Sequence, residues 1–157
     1  MIEDRVVTSV DELKQLVGQE LRVSDWHTVT QQEVNAFADA TGDHQWIHVD
    51  VERAKKGPFG GPIAHGFLTL SMAGTIARQG KGVRVDLGSK MGVNYGVNRV
   101  RFPSPVPVGS RIRVRTKLLS VDEVQPNVLQ QVNELTVEVE GGTKPAMVAE
   151  TVSRTYL

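Results

Sequence analysis

The first half of the chain has apolar residues at helical spacing, and the second half has the two-residue alternation that is typical of strands. Early segments place apolar residues three and four positions apart, as on one face of a helix. Residues 111–118 instead alternate strictly between basic and uncharged side chains, as on a strand with one solvated and one buried face. The pattern predicts short helices first and long strands later.

Two early helices carry recognisable start and stop signals. Ser9 and Thr30 are each followed three positions later by a glutamate, the spacing of a capping box that satisfies free N–H groups of the first turn. Gly18 and Gly42 are placed to end these helices, because glycine adopts positive φ without steric cost. Residues 21–29 between them predict a strand of mixed polarity. The buried faces are predicted to be Leu13, Leu16 and Val17 in the first helix and Val34, Phe37, Ala38 and Thr41 in the second.

A third helix is predicted within residues 63–79, after a turn rich in glycine and proline at residues 57–62. Its residues are small or apolar on nearly every side, and Arg78 near its end is expected to be the only outward-facing one. A helix that is apolar all round is expected to be buried all round.

The second half of the chain predicts long strands at residues 111–118, 128–140 and 147–156, with a glycine turn before the last. Residues 92–98 predict a glycine-containing loop. The connections are too short for βαβ crossovers, so the strands are expected to be antiparallel. The predicted fold is therefore α+β, with one buried helix against a curled sheet, in a single domain covering residues 1–157.

Composition narrows the function classes. Eighteen basic residues balance eighteen acidic ones, so no bulk field favours nucleic acid or a membrane surface. The chain has no cysteine, which excludes disulfides, cysteine–zinc sites and thiol nucleophiles. Neither a secretory signal nor a run of about 20 apolar residues is visible, so a cytoplasmic protein is expected.

Residues 43–48 carry the most concentrated chemistry, with a carboxylate and two imidazoles within six positions. Asp43 follows a predicted helix end, where irregular backbone can orient a side chain, and His65-Gly66 opens the apolar helix. A carboxylate and an imidazole beside one water perform general acid–base catalysis, typically worth about 10² to 10⁴ in rate. The spacing alone favours a simpler interpretation, in which Asp43 caps a turn and His48 is a satisfied polar residue.

Three separated motifs resemble the MaoC-like, or type 2, (R)-specific enoyl-CoA hydratases, and the resemblance spans roughly residues 37–118. The motifs are Gly42-Asp43 with Trp46-Ile47-His48 and Asp50, then Gly61-Pro62-Ile63-Ala64-His65-Gly66, then Asn98-Arg99-Val100-Arg101-Phe102 with Pro105-Val106 and Gly109. Family members usually have Asn-Pro where this chain has Gln45-Trp46, and that version is similar to the subgroup related to nodulation protein N.

The resemblance implies a hotdog fold and a hydro-lyase that adds water to trans-2-enoyl-CoA to give (R)-3-hydroxyacyl-CoA. It implies that Asp43 and His48 hold the water and that the Gly66 N–H stabilises charge on the thioester oxygen. His65 is expected to support the site without taking part directly. The resemblance also implies a homodimer with an acyl-CoA substrate and without metal or redox cofactor. Gly66 has a second interpretation, since glycine also permits close helix packing.

The remaining candidates have plainer interpretations. His44 is expected at the surface or supporting the site, and His27 on the polar face of a strand. Zinc fits poorly, because the histidines form no i, i+4 pair on a predicted helix. The basic residues Arg99, Arg101, Arg111, Arg113, Arg115 and Lys117 are expected mainly on a solvated sheet face, some of them free to meet the phosphates of coenzyme A. Residues 92–98 lack the strand–turn–helix context of a nicotinamide site.

Two rival functions stay open: a hotdog thioesterase, in which a carboxylate activates water against the thioester carbonyl, and a non-catalytic acyl-CoA-binding protein. The sequence does not assign base and acid between Asp43 and His48. It also leaves open the acyl-chain preference, the direction in vivo and the residues that hold coenzyme A.

Overall fold

The computed structural model describes residues 2–157, which form five helices and eight strands. The helices are α1 (Val10–Gln15), α2 (Gln31–Thr41), α3 (Trp46–Val49), α4 (Val51–Lys55) and α5 (Gly66–Ile76). The strands are β1 (Arg5–Val7), β2 (Glu20–Val23), β3 (His27–Thr28), β4 (Lys81–Val85), β5 (Met91–Arg101), β6 (Arg111–Gln125), β7 (Val128–Val139) and β8 (Met147–Tyr156).

The strands form one sheet in the order β1-β4-β2-β6-β7-β8-β5, with the short β3 also paired to β6. The long strands pair antiparallel, as predicted, and only β1 and β4 run parallel. The main core lies between α5 and the sheet, where Leu68, Ala73 and Ile76 pack with strand residues such as Val114 and Val137. This is the expected α+β arrangement of a single long apolar helix against a curled sheet.

The signals predicted for α2 are confirmed, whereas α1 ends at Gln15 with Leu16 as its C-cap, before the predicted stop at Gly18. Glu33 N–H donates to Thr30 Oγ1 at 3.2 Å, and Thr30 N–H donates back to the Glu33 carboxylate at 2.9 Å, which completes a capping box. Gly42 ends α2 with φ of 80°, and its N–H donates to the Ala38 carbonyl. The residues predicted to be buried in α1 and α2 are buried or partly buried, except for Val17 and Thr41, which are exposed. Asp43 therefore begins at a fixed point just past a helix end.

The predicted strand at residues 21–29 is broken into β2 and β3. Ser24, between them, is buried, and its Oγ accepts from the Val114 N–H at 2.9 Å while donating to the Asp25 carbonyl at 2.8 Å. A side-chain hydroxyl thus replaces part of the ladder, which interrupts the strand.

The prediction of a loop at residues 92–98 is wrong, because they lie in β5, the edge strand that pairs with β8. Nearly all of β5 is exposed, and two register shifts interrupt its pairing. A strand without a buried face has no alternation of apolar and polar residues to reveal it.

The prediction that the third helix is buried all round is also wrong. Helix α5 begins at Gly66 and buries one face, but Phe67, Ser71 and Gly74 on the opposite face are exposed. The Phe67 side chain is 68% exposed. An apolar helix with an open face marks a surface that is suited to contact another chain.

The basic residues of β6 lie on a solvated sheet face, as predicted, and form cross-strand ion pairs. Arg111 pairs with Glu140, and both Arg113 and Arg115 pair with Glu138. Burial alone raises the pKa of Glu138, but hydrogen bonds from the two arginines outweigh it and hold the pKa below its usual range. These charges are compensated within the sheet and form no free basic surface.

The longest helices have 11 residues, and none of the helices within residues 2–157 has the length and hydropathy required to cross a bilayer.

Candidate active site

Three sequence-predicted residues meet at the N-terminus of α5. Asp43 follows the end of α2, His48 lies in the one-turn helix α3, and His65 is the N-cap residue of α5. One imidazole nitrogen of each histidine and one carboxylate oxygen of Asp43 all lie within 4.8 Å of one another. The structure therefore brings together a carboxylate and two imidazoles that are up to 22 positions apart in the chain.

His48 is held in one orientation and one neutral tautomer. Its side chain is buried, and Nδ1 lies 2.7 Å from the Ile63 carbonyl oxygen. A carbonyl only accepts, so Nδ1 carries the proton and donates, and Nε2 of the neutral ring keeps a free lone pair. The Ile63 N–H in turn donates to the Ile47 carbonyl at 3.0 Å, so the acceptor is fixed to the chain around His48.

The surroundings of His48 favour its neutral form. Burial lowers the pKa of the imidazole, and the adjacent His65 lowers it further. The Ile63 hydrogen bond and the charge of Asp43 act in the opposite direction, but the pKa remains below its ordinary value of 6.5. The neutral form of His48 is therefore favoured at physiological pH.

His65 contacts both other members of the cluster. Its ring stacks on His48 with centroids 3.8 Å apart and an interplanar angle of 24°. Its Nε2 donates to the backbone carbonyl of Asp43 at 2.9 Å, and Phe37 packs on it at 4.9 Å. His65 thus connects the backbone of Asp43 to the ring of His48, and its supporting role stays a prediction.

The Asp43 side chain fits both of its predicted interpretations. Its Oδ1 accepts a long 3.3 Å hydrogen bond from the Gln45 N–H, as a turn-capping aspartate does. Its Oδ2 accepts no hydrogen bond from residues 2–157, and the side chain is exposed. The cap therefore orients the carboxyl group and leaves one oxygen open to solvent or substrate.

A cavity of about 350 Å³ adjoins the cluster and is lined by His48, Gly66, Thr69 and residues 102–106. Gly66 is the first residue of α5, where backbone N–H groups have no partner within the helix. A Cβ at Gly66 would meet the Phe102 ring at 3.0 Å. The close approach of Phe102 supports the packing interpretation of Gly66, and its place at the helix start and in the cavity lining leaves the proposed N–H role as a prediction.

Asp43, His48 and His65 are also a possible metal-ligand group by proximity alone. The stacked rings disfavour that interpretation. The lone pair of an imidazole nitrogen lies in the plane of its ring. Because the two rings are nearly parallel and 3.8 Å apart, their lone pairs lie in separate planes and do not converge on one point. One ion at the usual zinc–nitrogen distance of about 2.1 Å would then lie far out of both planes.

Residues 12–140 match the family described as "MaoC like domain". A relative named 3-hydroxyacyl-thioester dehydratase Z, from Mycobacterium tuberculosis, is 52% identical over 96% of this chain and 97% of its own length. Nodulation protein N from Rhizobium meliloti is 44% identical over 92% of this chain and 89% of its own. The (R)-hydratase from A. caviae superposes with a TM-score of 0.69 at 26% identity, covering 87% of this chain and 94% of that one.

The chain belongs to the MaoC-like family. Its relatives are named as dehydratases and hydratases, so it is a hydro-lyase of this type, an enzyme that removes or adds water. The α+β fold with a helix against a curled antiparallel sheet is the hotdog fold expected from the motifs.

The third motif of this MaoC-like protein reaches the site although it lies more than 30 positions after His65. Phe102, Pro105 and Val106 line the cavity opposite His48. The Val106 carbonyl also accepts from the Ala64 N–H at 2.9 Å, which ties the segment to the start of α5. Sequence reasoning found this segment by resemblance but gave it no contact with the site.

The two other histidines lie outside the cluster. His44 is exposed and pairs with Asp39 at 2.8 Å, and this hydrogen bond raises the pKa of its imidazole. His27 in β3 pairs with Glu33 at 2.9 Å and so braces the capping box of α2. Both positions agree with the predicted surface and polar-face locations.

Proposed function

We propose that this protein is an (R)-specific enoyl-CoA hydratase, which reversibly adds water to a trans-2-enoyl thioester to give the (R)-3-hydroxyacyl thioester. The observation that carries the proposal is the neutral His48 tautomer. His48, with its free Nε2, and Gly66 line the same cavity, and a ring nitrogen of His48 lies within 4.8 Å of a carboxylate oxygen of Asp43. The names of the thioester dehydratase and of the (R)-hydratase support the substrate class and the stereochemistry.

His48 is proposed as the base. A water between Nε2 and the Asp43 carboxyl group gives a proton to Nε2 as its oxygen bonds to C3 of the enoyl group. The π electrons move towards the thioester carbonyl, and C2 then takes a proton from the same pair of side chains. One hydroxyl group and one hydrogen are added, and the protein ends in its starting protonation state.

Gly66 is proposed to stabilise the enolate-like transition state. Charge develops on the thioester oxygen as the water adds, and a backbone N–H at a helix N-terminus is a fixed donor with a favourable dipole. A Cβ at this position would lie 3.0 Å from the Phe102 ring, a tighter contact than is usual, so glycine fits here without displacing the ring.

No metal or redox cofactor enters the proposed reaction. His48 and Asp43 take and return the protons that move, and the stacked rings are poorly directed for a shared ion. The thioester substrate brings coenzyme A as its own activating group.

The rival functions are less consistent with the site. A thioesterase needs activated water at the carbonyl carbon, whereas Asp43 and His48 keep the spacing of the hydratase motif, in which water adds to the β-carbon. A non-catalytic binder has no use for a buried imidazole that is fixed in one tautomer with an open nitrogen.

We also propose a homodimer that covers the open face of α5 and the edge strand β5. Tyr95 and Val97 on β5 are 60% and 49% exposed and lie with Ser71 and Gly74 along one groove. An unpaired, largely apolar edge strand pairs readily with a second copy of itself.

The decisive experiment follows loss of the enoyl-thioester absorbance with crotonyl-CoA for the wild type, Asp43→Asn and His48→Gln, with chiral analysis of the product. We expect (R)-3-hydroxybutyryl-CoA from the wild type and a loss of at least about 10²-fold in kcat for each variant. Release of free coenzyme A would identify a thioesterase instead. Binding of acyl-CoA without turnover would leave the binding protein.

A further inference from the structure

A second cavity of about 480 Å³ lies at the other end of α5 and shares no lining residue with the cavity beside His48. Gly74, Ala77 and Arg78 form its helix wall, and the opposite wall is the inner face of the sheet. A volume of this size is within the range of small-molecule sites.

Three arginines line this second cavity: Arg22, Arg78 and Arg84. Among residues 2–157, no aspartate or glutamate lines the cavity, and none of the three arginines forms an ion pair. The arginines of β6 show the contrast, because Arg111, Arg113 and Arg115 each pair with a glutamate. The second cavity is therefore a concentrated positive site without an internal counter-charge.

Arg22 carries the most specific sign of a missing partner. Its Nη2 donates to the Gly80 carbonyl at 2.9 Å, which fixes the guanidinium, but its Nε is buried and has no acceptor. Thr116 Oγ1, on the sheet wall, is likewise buried without a partner. Buried polar groups are almost always hydrogen-bonded, and two unpaired ones at one cavity indicate a polar ligand.

The side chains on the sheet wall change from apolar to polar towards this cavity. Alternate positions on β7 and β8 that face α5 are apolar near the main core, at Leu135 and Ala149, and become Asn133 and Thr151 one step further along. Polar side chains on the concave face of a sheet cost stability unless they are satisfied. Here they surround the same space as the arginines.

We propose that this second cavity binds a small anionic molecule through a carboxylate or phosphate group. Guanidinium groups match the oxygen geometry of both anions, and the amide and hydroxyl groups of the sheet wall suit the polar remainder of such a ligand. The proposal is independent of the hydratase reaction, because it rests on residues that do not touch the His48 cavity.

The test is isothermal titration calorimetry of the intact protein with inorganic phosphate and, separately, with glutarate. We expect at least one of them to bind with a dissociation constant on the order of 1 mM or tighter. Stronger binding of glutarate would identify a carboxylate ligand, and stronger binding of phosphate a phosphorylated one. Absence of binding by both at concentrations on the order of 10 mM would overturn the proposal.

The site is assigned with the double variant Arg78→Gln, Arg84→Gln, since both side chains are exposed and neither is in an ion pair within residues 2–157. We expect its dissociation constant to rise at least about tenfold. The control is Lys14→Gln, an exposed basic residue of α1 outside the cavity, for which we expect less than about a twofold change. Equal weakening in both would mean nonspecific attraction and reject the site.

A second measurement does not depend on the variants folding. Amide chemical-shift changes on addition of the binding anion to the wild type should be largest around Arg22, Thr116 and Asn133. Changes centred on His48 and Gly66 would assign the anion to the other cavity and contradict the proposal.

Discussion

The imidazole of His65 stacks on that of His48 at 3.8 Å while its Nε2 holds the Asp43 carbonyl at 2.9 Å. One side chain therefore sets both the orientation of the proposed base and the position of the carboxylate. We therefore propose that His65 is a positioning residue, because neither of these contacts involves the proposed reacting atoms.

Replacing His65 should separate its two contacts. His65→Phe retains an aromatic ring against His48 but cannot donate to Asp43, and His65→Gln retains a donor but loses the stack. We expect kcat to fall by about 10- to 100-fold in each, since displacement of catalytic groups by about 1 Å has effects of that size. The measurement is the crotonyl-CoA assay.

A pH profile distinguishes positioning from a general loss of structure in the same variants. His65 contributes to lowering the pKa of His48, so the acidic limb of kcat/KM should move to higher pH in His65→Phe. An unchanged acidic limb together with reduced kcat would contradict this electrostatic contribution.

The acidic limb of the wild-type pH profile should lie below pH 6.5. Burial lowers the pKa of His48, the proposed reaction needs its neutral form, and activity should therefore rise with pH through that lowered pKa and level off above it. The measurement is kcat/KM for hydration between about pH 4.5 and 8. His44→Gln is the control, because the pKa of exposed His44 is raised and its loss should leave the limb in place.

The lowered pKa of His48 also predicts that the free energy of unfolding depends on pH. A histidine whose folded pKa is depressed contributes stability that is present above the unfolded pKa of 6.5 and is lost as the pH falls towards the folded pKa. Urea midpoints of the wild type should therefore decrease below pH 6.5 more steeply than those of His48→Gln. Parallel curves for the two proteins would exclude this contribution of His48.

Gly66→Ala should lower activity more than stability. The backbone of Gly66 is helical and accepts alanine, but the added Cβ lies 3.0 Å from the Phe102 ring and enters the proposed oxyanion site. We expect a fall in kcat of at least about tenfold. Gly61→Ala is the matched control, because its Cβ would meet nothing within 4 Å. Alanine keeps the backbone N–H, so equal activities of the two variants would mean that the thioester does not approach position 66 closely, and would contradict the proposed oxyanion site.

Val97→Glu should convert the proposed dimer into a monomer. The wild type should elute from a sizing column with light-scattering detection at twice the 17.2 kDa mass of one chain. A carboxylate in the middle of β5 repels its symmetry mate when two edge strands pair. Val124→Glu changes an exposed valine at the far end of β6 and should leave the mass unchanged. A wild type that elutes as a monomer would refute the dimer.

Extensive dialysis against EDTA should leave hydration of crotonyl-CoA unchanged, because the proposed proton transfers need only His48 and Asp43. Loss of activity that Zn²⁺ restores would show that the cluster binds a metal in spite of its stacked rings.

Local signals in the sequence were sufficient for the regular elements. The capping box at Thr30, the stop at Gly42 and the alternation in β6 depend only on neighbouring residues, and the structure confirms each. At Ser9 only the N-cap half is confirmed, because the Glu12 carboxylate accepts from the Thr8 N–H and not from that of Ser9. The helix α3 was missed, since four residues are too few to display a helical period. The sequence predicts a loop in place of strand β5, because a largely exposed edge strand does not need to alternate apolar and polar residues.

The sequence by itself determined which residue types were available at the site, since the resemblance selected Asp43, His48, His65 and Gly66. Only the tertiary structure decided the stacking of His65, the tautomer of His48 and the open face of α5. The tautomer depends on the Ile63 carbonyl 15 positions away, and the stack joins the ends of two separate helices. Such relationships arise when the whole chain packs, because backbone acceptors and ring contacts leave no local pattern in the order of residues.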